Sequence, residues 1–430
     1  MKNKTYDVII FGGGLSGCAC AFGAAEKGLK VLIVEKLTFL GGSATGGLVF
    51  PMMKNQLQDG TDLNSGFFKE LTERLQKNNG GITFKDGNKG WFNPEVLKYT
   101  LDEYCEELGV EVLFDSVVTS AETTGKQVLS AEIFTCGQKF SLKSKYFVDA
   151  TGNADFSSLC GVDFENGDNG KNQAFTLRFI MSNIDMEEFA QFLESLDDEK
   201  VSPVYRLDNG EIHLSTAYTY DDKDWKLKPF FEEAVKNGDL TFEDTAYFQI
   251  FTIPAQPASI GFNCPRISSS RQLNPLNPDD ISFALMQGRS QIRRLERFCK
   301  KYLPGFKKAY VSQSAPMLGV RDSRRIKGSY ILNEEDILNC TKFKDAVAKS
   351  NYPIDVHSYH KNKGELRFVK ENDYYEIPVE CTLNPKYTNL LTLGRAISAT
   401  FLAQASLRIM PNCISTGENA ADYICKKLQS

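Results

Sequence analysis

Gly12, Gly14 and Gly17 stand at the spacing Gly-x-Gly-x-x-Gly, and the acidic Glu35 follows 18 positions after the last of them. That pattern suits dinucleotide binding. The chemistry asks for a tight turn at Gly12, close backbone approach to a pyrophosphate at Gly14, close helix packing at Gly17, and a Glu35 carboxylate accepting from both hydroxyls of a ribose. A 2′-phosphate beside Glu35 would be repelled, which disfavours NADP. Gly13, Leu15 and Ser16 complete the turn, and Lys36 follows the acid. A second glycine-dense stretch, GGSATGG from Gly41 to Gly47, lets a backbone with little side-chain bulk approach a ligand at Gly42, Ser43 and Ala44.

Arg321, Arg324 and Arg325 crowd into one short segment with Asp322, and Arg408 lies in the segment Ser406 to Met410. Guanidinium groups are the usual clamps for carboxylates and other oxyanions. The competing use is structural, with Asp322 and backbone carbonyls consuming the arginines in pairs that lock two domains together. His357 and His360 offer a general acid or base titrating near neutrality, with a hydrogen-bonded structural role as the alternative. Asp355, His357 and His360 do not follow the H-E-x-x-H pattern, so no metal site is expected. Cys18 and Cys20, two residues apart on a helix, point about 200° from each other and cannot form a disulfide there. Cys413 reads as a packed neutral thiol.

The elements that must position these residues can be read in order. Tyr6 to Phe11 is a short β-branched apolar run broken by glycines, the mark of a buried strand ending in a tight turn. Leu15 to Lys27 is rich in small residues and is closed by Gly28, and Lys30 to Glu35 is a second buried strand, so the start of the chain is a βαβ unit. Asn93 as N-cap, Pro94 in the first turn, and Leu97, Leu101, Tyr104 and Leu108 at helical spacing predict a helix up to Gly109. Val110 to Phe114 and Lys145 to Thr151 read as further strands. The middle of the chain changes to aromatic-rich strands, the acidic loop Asp221 to Asp224, and an Asn209-Gly210 hairpin turn. Phe283 and Trp225 fit either a cavity wall or a core. Arg289, Arg293, Arg297 and Lys301 lie on one face of an amphipathic helix, with Ile292, Leu295, Cys299 and Tyr302 on the other. Leu390 to Leu393 is another short strand before Gly394, and Cys413 to Leu428 a final helix. The predicted division is a first domain of 1–165 plus 375–430 around a second of 166–374.

The 430 residues carry 50 Lys plus Arg against 55 Asp plus Glu, a net charge of −5, with 42% apolar and 24% charged residues. A disordered chain is excluded, and general attraction to nucleic acid gains no support. Eleven scattered cysteines without a Cys-x-x-Cys pair fit reduced thiols in a cytoplasmic protein. No stretch of about 18 apolar residues is present to span a bilayer.

Beyond the glycines, the chain contains DATGNADFS from Asp149, GVRDSRRIKGSY from Gly319, YPIDVH from Tyr352, NLLTLGRAIS from Asn389 and MPNCISTGENAA from Met410. With these motifs it resembles, nearly end to end, a large bacterial family of FAD-dependent oxidoreductases related to the fumarate reductase and succinate dehydrogenase flavoproteins. The resemblance implies an α/β fold: a Rossmann-like FAD-binding domain of the glutathione-reductase type with a second, β-rich α+β substrate domain. It implies FAD as cofactor and hydride exchange with a small organic acid, ketone, alcohol or unsaturated analogue, with NADH or a redox protein as electron donor or acceptor. By the same likeness Ala150, Thr151, Gly152 and Asp155 match a second dinucleotide-contacting turn, and Val118 a strand whose backbone meets adenine. Gly394 and Arg395 match the motif along the ribityl and phosphate region. Asn412 through Gly417, including Ser415 and Thr416, match the start of a last helix facing the flavin's pyrimidine edge, where Glu418 would add charge. Two other readings remain open: a tRNA-modifying flavoprotein, and an electron-relay protein holding FAD without a substrate of its own.

Overall fold

The computed structural model describes residues 4–196, 204–207, 210–219, 225–267, 271–357 and 364–429. Its first βαβ unit is β1 (Tyr6–Phe11), α1 (Leu15–Glu26) and β2 (Val31–Val34). These strands lie at the centre of a five-stranded parallel sheet ordered Leu390–Thr392, Ser144–Asp149, β1, β2, Glu111–Leu113. Parallel strands need both faces covered, which is why these runs are almost continuously apolar. Val8, Ile10, Val31, Ile33 and Val148 face α1 and the C-terminal helix. Ile9, Phe11, Leu32, Val34 and Phe147 face the opposite way, onto Phe156 and a three-stranded meander spanning Ser116–Thr124, Gln127–Thr135 and Gln138–Leu142.

The helix α1 carries almost no large side chains because the C-terminal helix, Met410–Gln429, crosses it at close range. A Cβ at Gly417 would drive into the Ser16 carbonyl, and one at Gly23 would lie 3.2 Å from the Ala421 methyl. That final helix starts three residues before the predicted Cys413, with Pro411 in its first turn where a missing N–H costs nothing. The helices α2 (Phe67–Lys77) and α3 (Pro94–Leu108) pack against the same side of the sheet. As predicted, the Asn93 side chain caps α3 by accepting from the Glu95 N–H, and Gly109 closes it with a left-handed φ of 66°.

The middle of the chain builds an antiparallel six-stranded sheet ordered Val204–Arg206, Ile212–Thr219, Tyr247–Ile253, Gln256–Phe262, Phe179–Ser182, Tyr310–Ser314. The amphipathic helix Pro278–Tyr302 lies on it, burying Ala284, Gly288, Ile292, Leu295 and Cys299 and exposing Arg289, Arg293, Arg297 and Lys301. Trp225 is core, its indole N–H bonded to Thr216 Oγ1, whereas Phe283 is exposed. Asn209, Asp221 to Asp224 and His360 lie outside the described residues. One apolar cluster runs through both sheets, with the Phe50 ring against Gly261 at their junction. No helix among the described residues is long and apolar enough to cross a membrane, and all eleven cysteines are unpaired.

Candidate functional site

Four segments distant in sequence converge on the turn after β1. At Gly12, where φ is 101°, a Cβ would lie 2.9 Å from the Thr151 nitrogen. The Gly41 N–H donates to Gly13 O at 2.8 Å, and a Cβ at Gly42 would lie 2.9 Å from Gly14 Cα. A Cβ at Gly394 would meet Ser16 Oγ at 2.9 Å. Glu35, 4% exposed, fastens the turn: Oε2 accepts from the Gly13 N–H at 2.5 Å and Oε1 from the Leu37 N–H at 2.8 Å. Lys36 is exposed, Ser43 half-buried and Ala44 buried. The turn after Ser144–Asp149 is held by Asp149, which accepts from Thr151 Oγ1 (2.7 Å), the Thr151 N–H (3.1 Å) and the Ser157 N–H (2.6 Å). Thr151 Oγ1 in turn accepts from the Asp155 N–H. Arg395 lies against Gly152 and donates from Nη2 to Asn153 Oδ1 at 2.9 Å, while its Nε is buried without a partner. Val118 sits beside a register shift in its strand pairing.

A second cluster lies where the two sheets meet. Arg178 donates from Nη1 to Leu48 O and Phe50 O, the carbonyls just after the Gly41–Gly47 loop. Arg321 donates to Ala174 O and Thr176 Oγ1, and Arg408 to Asp355 O. Arg266 Nη2 donates to His357 Nδ1 at 2.9 Å, so the imidazole carries its proton on Nε2, 3.0 Å from Asp355 Oδ2. Tyr352 OH donates to the same Asp355 oxygen at 3.0 Å, and Tyr247 lies with its ring 4.4 Å from the Arg266 guanidinium. Arg266 is 7% exposed, yet its Nε and Nη1 have no partner. Burial and the neighbouring guanidinium groups of Arg408, Arg266 and Arg178 push Arg321 down to about 9. Burial, with Arg408 nearby, pushes Arg178 down to about 10. Asp355 would be raised by burial, but its bonds and charges with His357, Arg408 and Tyr352 hold it well below the usual carboxylate range. The cluster is thus four cations around one anion.

The structure redistributes the expected catalytic residues. Of the three crowded arginines only Arg321 joins this cluster, together with Arg408. Arg324 turns away to Asn153 O (3.1 Å) and Asp155 Oδ1 (2.9 Å), and Arg325 to Ala399 O and Gly167 O, each at 3.0 Å. Asp322 makes no hydrogen bond to any of them; it accepts from the Gln173 N–H and Asn172 Nδ2. His357 does not titrate near neutrality: burial first, then Arg321 and Arg266, lower it to about 3 against the opposing pull of Asp355. Ser415 and Thr416 spend their hydroxyls on Val347 O and Cys413 O, and Gly417 serves the helix crossing. Glu418 caps α2 through the Phe67 N–H, so its charge belongs to that helix end. Burial pushes the Cys413 thiol up to about 12, and no metal-binding cluster occurs among the described residues.

Arg178, Arg266, Tyr247 and Tyr352 were not singled out in the sequence. Arg178 had a signal: it is the one charge in the apolar run Phe175 to Met181. A guanidinium placed in a buried apolar segment must have a partner or a task.

The profile of the FAD-dependent oxidoreductase family matches residues 7–427. The chain belongs to that family. Among curated proteins, this FAD-dependent oxidoreductase is 29% identical over 181 residues to a thiamine thiazole synthase of Methanococcus aeolicus, covering 40% of the chain and 63% of that protein. It is 25% identical over 160 residues to a digeranylgeranylglycerophospholipid reductase of Methanococcoides burtonii, covering 35% of the chain and 38% of the relative. The chain therefore spans less than two thirds of either relative's length. Among solved structures, a flavin-dependent brominase aligns over 99% of the chain and 80% of its own, with 16% identity and a TM-score of 0.48.

The cofactor of this FAD-dependent oxidoreductase is FAD. The residues present fit it. The convergent turns leave no room for side chains at Gly12, Gly42 and Gly394, as a backbone-lined cradle requires, and Arg395 Nε is a buried donor without a partner beside them.

Proposed function

We propose that FAD lies along the groove formed by the Gly12–Gly17 turn, the Gly41–Gly47 loop, Ala150 to Asp155 and Gly394 to Arg395. Its reacting end then points toward Arg178, Arg266, Arg321 and Arg408, where a small organic anion binds. Residues 1–165 with 375–430 hold the cofactor, and residues 166–374 cover it. When bound, FAD supplies two-electron hydride chemistry. The protein binds the anion, orients its carbon skeleton and keeps water away. Reduction of an activated double bond, as in the fumarate reductase flavoproteins, is one version of this reaction.

The observation that carries this reading is Arg266, nearly inaccessible, with two guanidinium nitrogens unpartnered in a cluster of four cations and one carboxylate. An anion satisfies those donors and the excess charge together. His357 is a positioning residue here: its Nδ1 lone pair and its Asp355 anchor set the plane of the Arg266 guanidinium.

The test is titration of the FAD-loaded protein with succinate and acetate, read in the visible flavin spectrum. Wild type should show a saturable perturbation, and Arg266→Gln should weaken it roughly 10- to 100-fold, the equivalent of losing charged hydrogen bonds, with flavin retained. Unchanged binding in Arg266→Gln would overturn the assignment. Anaerobic addition of NADH then sets direction: rapid bleaching marks a reductase, and persistent colour marks an enzyme that oxidises its substrate or is reduced by another protein.

A further inference from the structure

Although the whole chain is acidic, residues 289–308 hold eight Lys plus Arg and a single carboxylate, Glu296. Arg289, Arg293, Arg297 and Lys300 are exposed on the helix Pro278–Tyr302, and Lys307 and Lys308 on the turn after it. None of these six forms an ion pair among the described residues. Asp244 is taken by Arg294 and Asp239 by Lys301, which leaves Glu296, and Glu243 near Arg294, as the unpaired acids. Arg297, Lys300, Lys301 and Lys307 line, with Glu296, an open groove of about 430 Å³. Arginines four positions apart on a helix repel one another, so the fold gains nothing from this stripe.

The same outer face carries Phe283 and Met286 at its N-terminal end, 40% and 71% exposed. Aromatic residues, Met and Arg are the side chains enriched where proteins meet. From Phe283 to Lys301 the face runs about 27 Å at 1.5 Å per residue, comparable with one partner's share of a standard interface, about 800 Å².

The inner side of this helix reaches the arginine cluster. Gln291 donates from Nε2 to Arg266 O at 3.2 Å and to Asp244 Oδ1 at 3.3 Å, the carboxylate that also holds Arg294. A Cβ at Gly288 would lie 2.8 Å from the Leu177 side chain, next in sequence to Arg178. The basic face and the cluster are thus separated by one helix, about 10 Å across. Electron transfer weakens steeply with distance, so a carrier has to dock close to the flavin.

We propose that a small acidic electron-carrying protein docks on this face and exchanges electrons with the flavin. This rests on the placement of the flavin's reacting end given above. In the reducing direction two carriers are each oxidised by one electron, and the two electrons with two protons from solvent convert FAD to FADH2. A lipid surface or a long nucleic acid matches less well. The chain outside 289–308 is more acidic than the net charge of −5, and an extended polyanion would overlap that remainder, whereas a small protein covers the patch alone.

The experiment mixes the FAD-loaded protein anaerobically with reduced plant-type 2Fe–2S ferredoxin, an acidic one-electron donor, and follows flavin bleaching by stopped flow. Wild type should bleach at a rate that falls steeply with added salt. Arg293→Glu combined with Arg297→Glu should slow it about tenfold or more at low salt, with bleaching by dithionite and the succinate titration unchanged. Lys126→Glu combined with Lys143→Glu, at the ends of meander strands, should leave the rate as it is. Equal rates in wild type and the Arg293/Arg297 variant, or no bleaching by ferredoxin where dithionite bleaches, overturn the docking face and leave the anion site standing. Binding to tRNA or to phosphatidylserine–phosphatidylcholine vesicles that is tighter than to ferredoxin, and lost in the same variant, overturns it in favour of that polyanion. A protein that takes up no FAD removes the proposed function and this inference with it.

Discussion

His357 illustrates how a side chain's surroundings set its chemistry. A histidine between Arg266 and Asp355 is wired as a neutral ring, with Nδ1 accepting and Nε2 donating. Because its folded value lies near 3, against about 6.5 when unfolded, the unfolded chain takes up the proton first as pH falls. The stabilisation is complete above pH 6.5 and declines toward pH 3, with a slope of up to about 1.4 kcal/mol per pH unit. Urea melts at pH 7, 6 and 5 should show this slope, and His357→Asn should flatten it; an equal slope in both proteins would mean the ring is protonated in the native state. The rate profile should accordingly show no His357 ionisation between pH 6 and 8. Arg324 carries a different expectation. Its bonds to Asn153 O and Asp155 support the turn that meets Gly12 and Arg395, so Arg324→Ala should weaken FAD binding about fivefold, a discounted charged hydrogen bond at a partly exposed pair. Flavin fluorescence titration measures it, and a raised KM with normal FAD affinity would return Arg324 to the substrate site.

At the scale of elements, the crossing of α1 with the C-terminal helix is the tightest constraint on the cofactor turn. Gly417 has the Ser16 carbonyl where a Cβ would go, whereas Gly23 faces the Ala421 methyl at 3.2 Å, a contact that a small shift relieves. Gly417→Ala should therefore cost about 1 to 3 kcal/mol and reduce FAD content, with Gly23→Ala much milder. Thermal melts and the flavin-to-protein absorbance ratio test the order, and equal effects would show that the two helices slide freely. The elements legible in the sequence were those specified locally. β1, α1 and β2 follow from apolar runs punctuated by glycine, and α3 from the Asn93 cap, Pro94 and Gly109. The last helix starts at Met410 rather than at Cys413 because Pro411 fits its first turn, where no N–H is needed. The sequence marks His357 as a candidate but not its pairing with Arg266, since partners 91 positions apart leave no periodicity to read. Arg324 and Arg325, three and four positions after Arg321, carry the same side chain and are indistinguishable from it in the sequence; the short strand Arg324–Ile326, paired with Phe164–Asn166, sends them elsewhere.

For the whole molecule, the arrangement of the two sheets decides where function can reside. The parallel sheet ends in the glycine turns, the antiparallel sheet carries Tyr247, with Arg178 and Arg266 just outside the ends of two of its strands, and the 352–357 segment with Arg408 completes the cluster at their junction. Neither sheet alone assembles the site, although a single apolar cluster runs through both. FAD placed along the groove would contact four separated segments of the chain, so ligand binding and folding are linked. A ligand that binds only the folded state adds about 2.7 kcal/mol of stability at a free concentration 100 times its Kd. Apoprotein prepared by mild flavin removal should therefore melt several degrees below the holoprotein, and its melting temperature should climb with the logarithm of added FAD. The same titration with Gly417→Ala should give a weaker rise, because its Ser16 turn is displaced. If FAD left the melting temperature unchanged in wild type, the four turns would not be gripping one ligand, and the groove, with the hydride chemistry assigned to its end, would have to be sought elsewhere on the molecule.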